Sequence, residues 1–313
     1  MEKYIGIDIS KATLDLYDGD KSYKVGNNRE GFTFIRKLAK DKKDLVLIFE
    51  PTGVYAHALI SYCEQQCIRA VIVGSKEARD YARSIKQRSK TDKIDAKVLY
   101  RYQTQVDPST ITIPTLDTCM IRITQRRNVY DKYQHTIIQL RNLIEATHKE
   151  DKALIRSLQK QIASLQQSAD TLLKEIENLL VKNESNQTAL ENLQTIPGIG
   201  RKSAIALLLE FMRYPHAKSN EMVALMGLDP VLRDSGVFKG KSRISKQGGK
   251  HLRQKLYMAT IVAIKHNDRL KRFYERLVSH GKPKMVALLA AMRKLLRIAF
   301  ALVKNNEPYR ALV

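Results

Sequence analysis

Apolar positions in the first hundred residues fall into short runs and helical spacings that alternate along the chain. Strands are predicted at Tyr4–Ile9, at Thr13–Tyr17 and around Lys24, because these segments are short, apolar or aromatic, and bounded by turn residues. One of these turns is the Asp-Gly-Asp sequence at residues 18–20. The spacing predicts a three-stranded meander.

Helices and strands alternate after the meander. The spacing around Ile35 predicts a helix, and the apolar run Leu45–Phe49 predicts a strand. A helix, a strand and two further helices are predicted next, at Tyr55–Gln66, Ala70–Val73, Glu77–Ile85 and Asp92–Gln103. This order of strands and helices is that of the ribonuclease-H fold. We therefore predict an α/β domain over residues 1–110.

The middle of the chain shows a heptad repeat. Residues 116–192 contain no glycine, and their apolar positions recur at alternating spacings of three and four. Ile at one core position and Leu at the other favour a parallel two-stranded coiled coil between chains. An intramolecular hairpin against Ile137, Leu140 and Ile144 explains the pattern equally well. The heptad positions are Ile155, Leu158, Ile162, Leu165, Ala169, Leu172, Ile176 and Leu179. We predict a helical linker and dimerisation region over 111–192.

The last part of the chain is helical in pattern and strongly basic. Residues 193–313 are predicted to form a mostly helical domain with a glycine-rich interruption at 235–249. Residues 201–313 hold 24 Lys and Arg against 7 Asp and Glu, and so carry +17 of the net charge of +23. Such a charge indicates a polyanionic partner, most commonly nucleic acid. A ribosomal or chromatin-type binder is also compatible with charge alone.

Composition excludes several classes of protein. With 43% hydrophobic and 28% charged residues the chain can bury sizeable cores, which argues against wholesale disorder. Its 3 cysteines are an odd number without a paired framework, as expected in a reducing compartment. The longest wholly apolar run, Met285–Met292, is far below the roughly 18 residues of a membrane span. We expect a cytoplasmic protein without a membrane partner.

Four carboxylates in the first stretch form a candidate metal site. Asp8 interrupts an apolar strand, Glu50 closes another, and Asp92 and Asp95 lie three residues apart on one helix face. Such oxygen ligands suit Mg²⁺ or Mn²⁺ completed by substrate phosphate, and two ions would suit phosphodiester chemistry. Asp92 as a helix N-cap is one structural alternative. An actin-like ATPase would need glycine-rich phosphate loops in a second half, and none is found.

Basic residues surround this acidic quartet between Lys76 and Lys93. A basic run beside an acidic site is expected when the substrate is itself a polyanion that approaches bound metal. The candidate nucleic-acid ligands in this run are Lys86, Arg88 and Lys90. A solvated helix face is the alternative.

A second candidate for nucleic-acid binding is the segment Thr195–Gly200, which has the form of a helix-hairpin-helix turn. Its glycines, Gly198 and Gly200, allow backbone N–H groups to approach a phosphate at a helix N-terminus. Arg201 and Lys202 follow directly and are candidate phosphate ligands. An ordinary helical hairpin with a glycine turn is the alternative.

The glycine-rich interruption contains the candidate nucleophile, Ser245. This serine precedes two glycines and a predicted helix N-terminus, where a scissile phosphate would be attracted. Its hydroxyl needs a base or a metal ion to remove the proton, and the nearest base in sequence is His251. A capping or phosphate-contacting role is the alternative, and Ser235 and Ser242 are rivals. The cations beside it are Lys241, Arg243 and Lys246.

Taken together, these motifs resemble the DEDD-type transposases of the insertion-sequence one-hundred-and-ten class, which are related to the Piv and MooV DNA invertases. The resemblance covers nearly the whole chain. Segments similar to the family's RuvC-like acidic quartet are Gly6–Lys11, Phe49–Gly53 and Lys90–Ala96. Segments similar to its C-terminal transposase domain are Ile196–Gly200, Gly227–Pro230 and Ile244–Gly248.

The resemblance implies a recombinase that cuts and rejoins donor and target double-stranded DNA through a phosphoserine intermediate, with Ser245 as nucleophile. It implies that the RuvC-like site of one subunit acts with the serine of another, so a homodimer that assembles into a tetramer is expected. In this family a structured noncoding bridge RNA can select the DNA, which leaves shape and backbone to the protein. A bacterial, nucleoid-associated location is expected.

Two other functions stay open at this point. A RuvC-like endonuclease would use metal-activated water, would leave free cleaved ends and would need Ser245 only as a phosphate contact. A binding and assembly protein built from the hairpin and the coiled coil would tolerate loss of the acidic quartet.

Overall fold

The structure, a computed structural model, describes residues 2–39, 41–86, 91–231, 234–235, 238–239, 243–246 and 248–310. The chain divides into two compact units, Met1–Ile121 and Arg122–Val313. The helical region predicted over 111–192 therefore belongs largely to the second unit, together with the C-terminal helices. The division into three domains stays a prediction.

A five-stranded sheet forms the centre of the first unit. Its strands are β1 (Lys3–Ile9), β2 (Thr13–Tyr17), β3 (Ser22–Gly26), β4 (Leu45–Phe49) and β5 (Arg69–Ile72), arranged in the order β3-β2-β1-β4-β5. Neighbouring strands are antiparallel from β1 to β3, whereas β4 runs parallel to β1 and to β5. The predicted meander and the α/β character of this unit are confirmed.

Helices cover both faces of this sheet. They are α1 (Arg29–Lys37), α2 (His57–Gln66), α3 (Ser75–Ser84) and α4 (Asp92–Arg101). Leu45 and Leu47 of β4 pack with α1 and α2, whereas Val46 and Ile48 pack with Leu99 of α4. Because both faces of β4 are covered, all of its side chains are buried, which explains its continuous apolar run.

Two long helices begin the second unit, α5 (Thr118–Ala146) and α6 (Lys152–Leu180). A short link joins them, and Arg126 near the start of α5 pairs with Glu175 near the end of α6 at 2.7 Å, so the helices run antiparallel. Predicted heptad positions such as Leu158, Ile162 and Ile176 are buried. The chain thus shows the intramolecular hairpin, and a coiled coil between chains stays a prediction.

The other helices of the second unit make the C-terminal region mostly helical, as predicted. They are α7 (Glu184–Gln194), α8 (Arg201–Arg213), α9 (Ser219–Leu225), α10 (Lys250–His266), α11 (Asp268–Ser279) and α12 (Lys284–Asn305). The buried face of α12 repeats at helical spacing through Ala291, Leu295 and Ala299. An ion pair of 2.9 Å between Arg127 and Glu210 ties α5 to α8.

Short strands lie in the glycine-rich interruption and just before it, where the sequence predicted none. They are β6 (Pro230–Val231), β7 (Asp234–Ser235), β8 (Phe238–Lys239) and β9 (Arg243–Ile244). Antiparallel pairs form between β6 and β9 and between β7 and β8. Strands of 2 residues are too short to show an alternating pattern, so the sequence carries no signal for them. Among the described helices, none combines the length and the apolar character needed to cross a membrane.

Candidate active sites and nucleic-acid interface

Asp8 stands at the centre of a cluster of carboxylates in the first unit. It is half-buried in β1, and its pKa is raised from 3.8 to about 6 by burial, then by the charges of Asp95, Asp92 and Asp15. A backbone hydrogen bond with Ile9 opposes this rise. The structure therefore brings three members of the predicted quartet close enough for Asp8, Asp92 and Asp95 to interact.

A glycine explains how α4 reaches this strand. A Cβ atom at Gly6 would overlap the backbone of α4, at the carbonyl oxygen of Ala96 and the amide nitrogen of Tyr100. The helix therefore lies directly across β1, and Asp95 stands immediately before Ala96, close to Asp8. The start of α4 is fixed by Thr91, whose hydroxyl accepts a hydrogen bond from the Ile94 N–H at 3.3 Å.

Strand register places the fourth carboxylate, Glu50. Phe49 pairs with Ile7 in the parallel ladder of β4 and β1, and Glu50 follows Phe49 as Asp8 follows Ile7. Parallel strands end at the same edge of a sheet, so Glu50 and Asp8 share one edge. The charges that raise the pKa of Asp8 are those of Asp95, Asp92 and Asp15, so Glu50 is located here by the register alone.

Asp15 is a fifth carboxylate that the sequence analysis missed. It lies directly opposite Asp8 in the antiparallel pair of β1 and β2, and forms an ion pair with Lys24 at 3.3 Å. The segment of Asp15 alone shows only that the alternation of β2 puts this residue on the opposite face from the buried residues Leu14 and Leu16.

The donor chemistry of this cluster fits a divalent cation. Carboxylate oxygens are the ligands that Mg²⁺ prefers, and the repulsion that raises the pKa of Asp8 would be relieved by a bound cation. Within the described part of the chain, no group of three His, Cys, Asp or Glu side chains is arranged to hold a metal ion. Mg²⁺ is usually held by one or two carboxylates with water and substrate phosphate, so a set of three is not required.

Ser245 in the second unit is paired with an aspartate. Its Oγ donates a hydrogen bond to the carboxylate of Asp229. The backbone supports this contact, because the Ser245 N–H donates to the Asp229 carbonyl at 3.0 Å and the Lys246 N–H donates to the Gly227 carbonyl at 3.1 Å. The partner of the hydroxyl is therefore Asp229, which precedes it by 16 residues, and not His251.

Close packing against α9 holds the serine loop, defined as residues 243–246 and 248–250, in place. A Cβ atom at Gly248 would overlap the carbonyl oxygen of Leu225 and the backbone of Met226. Arg253 of α10 donates hydrogen bonds to the carbonyl oxygens of both Met226, at 3.3 Å, and Gly248. These contacts fix the segment that contains Ser245 against the segment that contains Asp229.

Comparison with known proteins decides the family. Residues 5–149 match the DEDD family model of the IS110 type, described as a transposase, and residues 190–275 match the model described as "Transposase IS116/IS110/IS902 family". The chain is 30% identical over 319 aligned residues to the "Pilin gene-inverting protein" of Moraxella lacunata, covering 98% of this chain and 97% of that protein. The chain belongs to this transposase family. It is therefore an enzyme of DNA recombination.

More distant relatives match only part of the transposase. An uncharacterised 42 kDa protein of insertion element IS900 from Mycobacterium paratuberculosis is 23% identical over 50% of this chain and 39% of its own length. An uncharacterised 43.6 kDa protein of insertion element IS110 from Streptomyces coelicolor is 22% identical over 38% of this chain and 30% of its own length.

Residues predicted to bind nucleic acid differ in their surroundings in this transposase. Arg243 and Lys246 are exposed beside Ser245, and Lys246 adopts a positive φ of 57°. Lys86 is exposed at the end of α3 with a φ of 56°. The predicted ligands Arg88, Lys90 and Lys241, and the rival nucleophile Ser242, lie outside the described residues.

The predicted hairpin turn is held by contacts within the second unit. Gly198 has a φ of +99°, and a Cβ atom there would lie 2.7 Å from the carbonyl oxygen of Ala259 in α10. Gly200 has open space around it and precedes α8. Arg201 pairs with Glu177 of α6, and Lys202 pairs with Asp170 at 3.2 Å. Phosphate contact by Arg201 and Lys202 stays a prediction, and both cations already have carboxylate partners.

A pocket lined by cations lies between α11 and α12, and no sequence motif indicates it. We define this basic pocket by Phe273, Arg293, Lys294 and Arg297; its volume is about 380 Å³. The Lys294 ammonium lies 4.2 Å from the centre of the Phe273 ring. Burial, then the charges of Arg269 and Arg276, lowers the pKa of Lys294. Crowded cations beside an aromatic ring are suited to a phosphate backbone.

Proposed function

We propose that this transposase cuts and rejoins DNA with two sites, a metal-binding acidic quartet in the first unit and the Ser245 nucleophile in the second. The observation that carries the proposal is the hydrogen bond from the Ser245 hydroxyl to a carboxylate, in a loop where two cations are exposed. A serine held in this way is oriented for attack, and the cations suit the charge that develops on phosphorus.

In this mechanism the Ser245 Oγ attacks a phosphodiester and forms a phosphoserine bond to one DNA end. Arg243 and Lys246 bind the nonbridging oxygens of the phosphate and stabilise the added negative charge of the transition state. A hydroxyl of the recombining strand then attacks the same phosphorus and releases the serine. Bond energy is conserved through both steps, so strands are rejoined without an external energy source.

We assign the metal to Asp8, Glu50, Asp92 and Asp95. A bound Mg²⁺ or Mn²⁺ would supply positive charge that polarises the phosphodiester. Two observations support this assignment: the charges of Asp92 and Asp95 act on Asp8, and strand register puts Glu50 at the same sheet edge as Asp8. The strand order β3-β2-β1-β4-β5 with an antiparallel first hairpin supports a RuvC-like ribonuclease-H fold for this unit.

The partners follow from charge and from the family. We propose double-stranded donor and target DNA as substrate, with the acidic quartet of one subunit acting together with Ser245 of another in a homodimer that assembles into a tetramer. We also propose a structured bridge RNA that selects the DNA by base pairing. A net charge of +23 and the basic pocket support contacts to nucleic-acid backbone. Such a protein would be found at the bacterial nucleoid.

The test is to trap a covalent protein–DNA adduct. Purified protein is incubated with Mg²⁺, labelled DNA that carries the junction of the element, and RNA transcribed from its flanks, and the products are separated on a denaturing gel. We expect an adduct with the wild-type chain and none with Ser245→Ala or Asp8→Ala. The matched controls are Ser279→Ala, at the exposed end of α11, and Asp20→Ala, in an exposed turn; both should form the adduct.

The two alternative functions, an endonuclease and a binding and assembly protein, each predict a different result on this gel. Cleaved DNA without adduct, unchanged in Ser245→Ala, would favour the metal-dependent endonuclease with activated water. Binding of DNA without cleavage, unchanged in Asp8→Ala, would favour a protein of binding and assembly.

A further inference from the structure

The proton of the Ser245 hydroxyl already points to an acceptor. Ser245 is the residue after β9 and Asp229 is the residue before β6, and the pair Pro230 and Ile244 stands next to them in the antiparallel ladder. The Asp229 carbonyl accepts from the Ser245 N–H at 3.0 Å, while the Asp229 carboxylate accepts from the Ser245 Oγ. Backbone pairing therefore sets the side-chain contact.

We propose that Asp229 is the general base that takes the proton of Ser245 as its Oγ attacks DNA; this inference rests on the proposed role of Ser245. An ionised carboxylate only accepts hydrogen bonds, so it orients the hydroxyl proton towards itself and leaves the oxygen lone pairs to face the phosphate. The contact is direct, with the carboxylate and the nucleophilic oxygen within hydrogen-bond reach. His251, the nearest base in sequence, is exposed in the first turn of α10.

Each proton and each bond is accounted for in the attack of Ser245 on DNA and in the rejoining of the strands. The proton moves from Oγ to the Asp229 carboxylate, a bond forms between Oγ and phosphorus, and the bond from phosphorus to one ester oxygen of the DNA breaks. The leaving oxygen takes a proton from water and departs as a DNA hydroxyl. During rejoining the incoming DNA hydroxyl loses its proton to solvent, the bond from Oγ to phosphorus breaks, and Asp229 returns its proton to Oγ.

Two substitutions separate this role from a structural one. Asp229→Asn keeps a carbonyl oxygen that accepts the hydrogen bond but removes the base, whereas Asp229→Ala removes the whole group and leaves room for a small carboxylate. The measurement is the rate of adduct formation on a plasmid that carries the transposase gene with its flanking DNA. The conditions are those of the denaturing-gel test described above. Both variants should react about 10²–10⁴-fold more slowly than the wild-type chain.

Formate supplies the decisive comparison. Added formate should restore the adduct rate of Asp229→Ala by about tenfold or more, as a replacement base, and chloride at equal ionic strength should not. Asp229→Asn, in which the amide fills the space, should not respond. Thermal melting and gel-shift affinity for the same plasmid should be unchanged in both variants.

Several outcomes would overturn the inference. A wild-type adduct rate in Asp229→Asn, with no adduct in Ser245→Ala, would remove Asp229 as base and leave the proposed function intact. If the adduct rate fell equally in both Asp229 variants and formate restored neither, the contact between Asp229 and Ser245 would be structural. An adduct that persists in Ser245→Ala would instead remove the nucleophile, and the proposed function with it.

Discussion

The two candidate sites are built in different ways. The acidic quartet stands on regular elements, with Asp8 inside β1, Glu50 directly after β4, and Asp92 and Asp95 in the first turn of α4. Ser245 instead follows a strand of 2 residues and depends on pairing with a segment 16 residues earlier. A site on long elements is held by the core of its unit, whereas the serine loop is held by a few backbone contacts. A substitution that disturbs the packing of these elements should therefore unfold the first unit as well as destroy its site.

The largest effect that tests this difference is expected from Gly6→Ala. The added methyl group would overlap the backbone of α4, which cannot give way as a flexible side chain would. We expect the free energy of unfolding to fall by about 3 kcal/mol, with loss of activity, measured by chemical denaturation followed by circular dichroism. The matched control is Gly200→Ala, where a Cβ meets open space; a similar loss there would show that the packing of α4 is not the cause.

Asp8→Asn is expected to stabilise the transposase while abolishing its activity. The pKa of Asp8 is about 6 in the folded chain against an ordinary value of 3.8, so the charged form is disfavoured in the fold above pH 6. Removing that charge should raise the free energy of unfolding at pH 8 by about 1 kcal/mol, a value reduced for the partial exposure of Asp8. The gain should disappear as the pH falls through 6 towards 4.

Thermal melting at several pH values with and without Mg²⁺ checks this expectation. Mg²⁺ should raise the melting temperature of the wild-type chain at pH 8. It should not change the melting temperature of Asp8→Asn, because the substituted site has lost a ligand. Asp20→Asn, in an exposed turn, serves as the control that keeps the wild-type response. Destabilisation by Asp8→Asn at pH 8 would contradict the repulsion among the carboxylates.

A smaller effect, on DNA affinity, is expected when cations of the basic pocket are replaced. Replacing Arg293, Lys294 or Arg297 by Gln should weaken DNA binding about three- to tenfold for each cation and lower the slope of log Kd against log salt by about 1. The measurement is fluorescence anisotropy with labelled duplex at a series of salt concentrations. Unchanged affinity and slope in the triple variant would exclude the pocket from the DNA interface.

The smallest effect is expected at the hairpin turn. Arg201 and Lys202 are already paired with Glu177 and Asp170, and exchanging one partner for another yields little net free energy. Arg201→Gln and Lys202→Gln should therefore change DNA affinity less than twofold in the same assay, roughly within 0.5 kcal/mol. A loss as large as that of Lys294→Gln would show that the hairpin releases its carboxylates to bind phosphate.

Much of the first unit was predictable because its signals are local. The strands at Tyr4–Ile9 and Thr13–Tyr17 and the helix that begins at Asp92 appear within about one residue of the predicted positions. Short apolar runs, turn residues and an N-cap act within a few residues of the chain, so they can be read without knowledge of the fold. Asp15 was missed because its importance depends on the strand opposite, not on its own segment.

The sequence by itself determined the strands and helices of the first unit, the helices of the second unit and the excess of positive charge, and it singled out Ser245 and the four carboxylates as candidates. Tertiary structure decided which of these groups meet. It brought Asp229 into hydrogen-bond contact with the Ser245 hydroxyl and set Asp15 opposite Asp8 in the sheet. It also gave Arg201 and Lys202 their carboxylate partners. The physical reason is that hydrogen bonds and ion pairs depend on distance in space, and residues far apart in sequence become neighbours only when the core is packed.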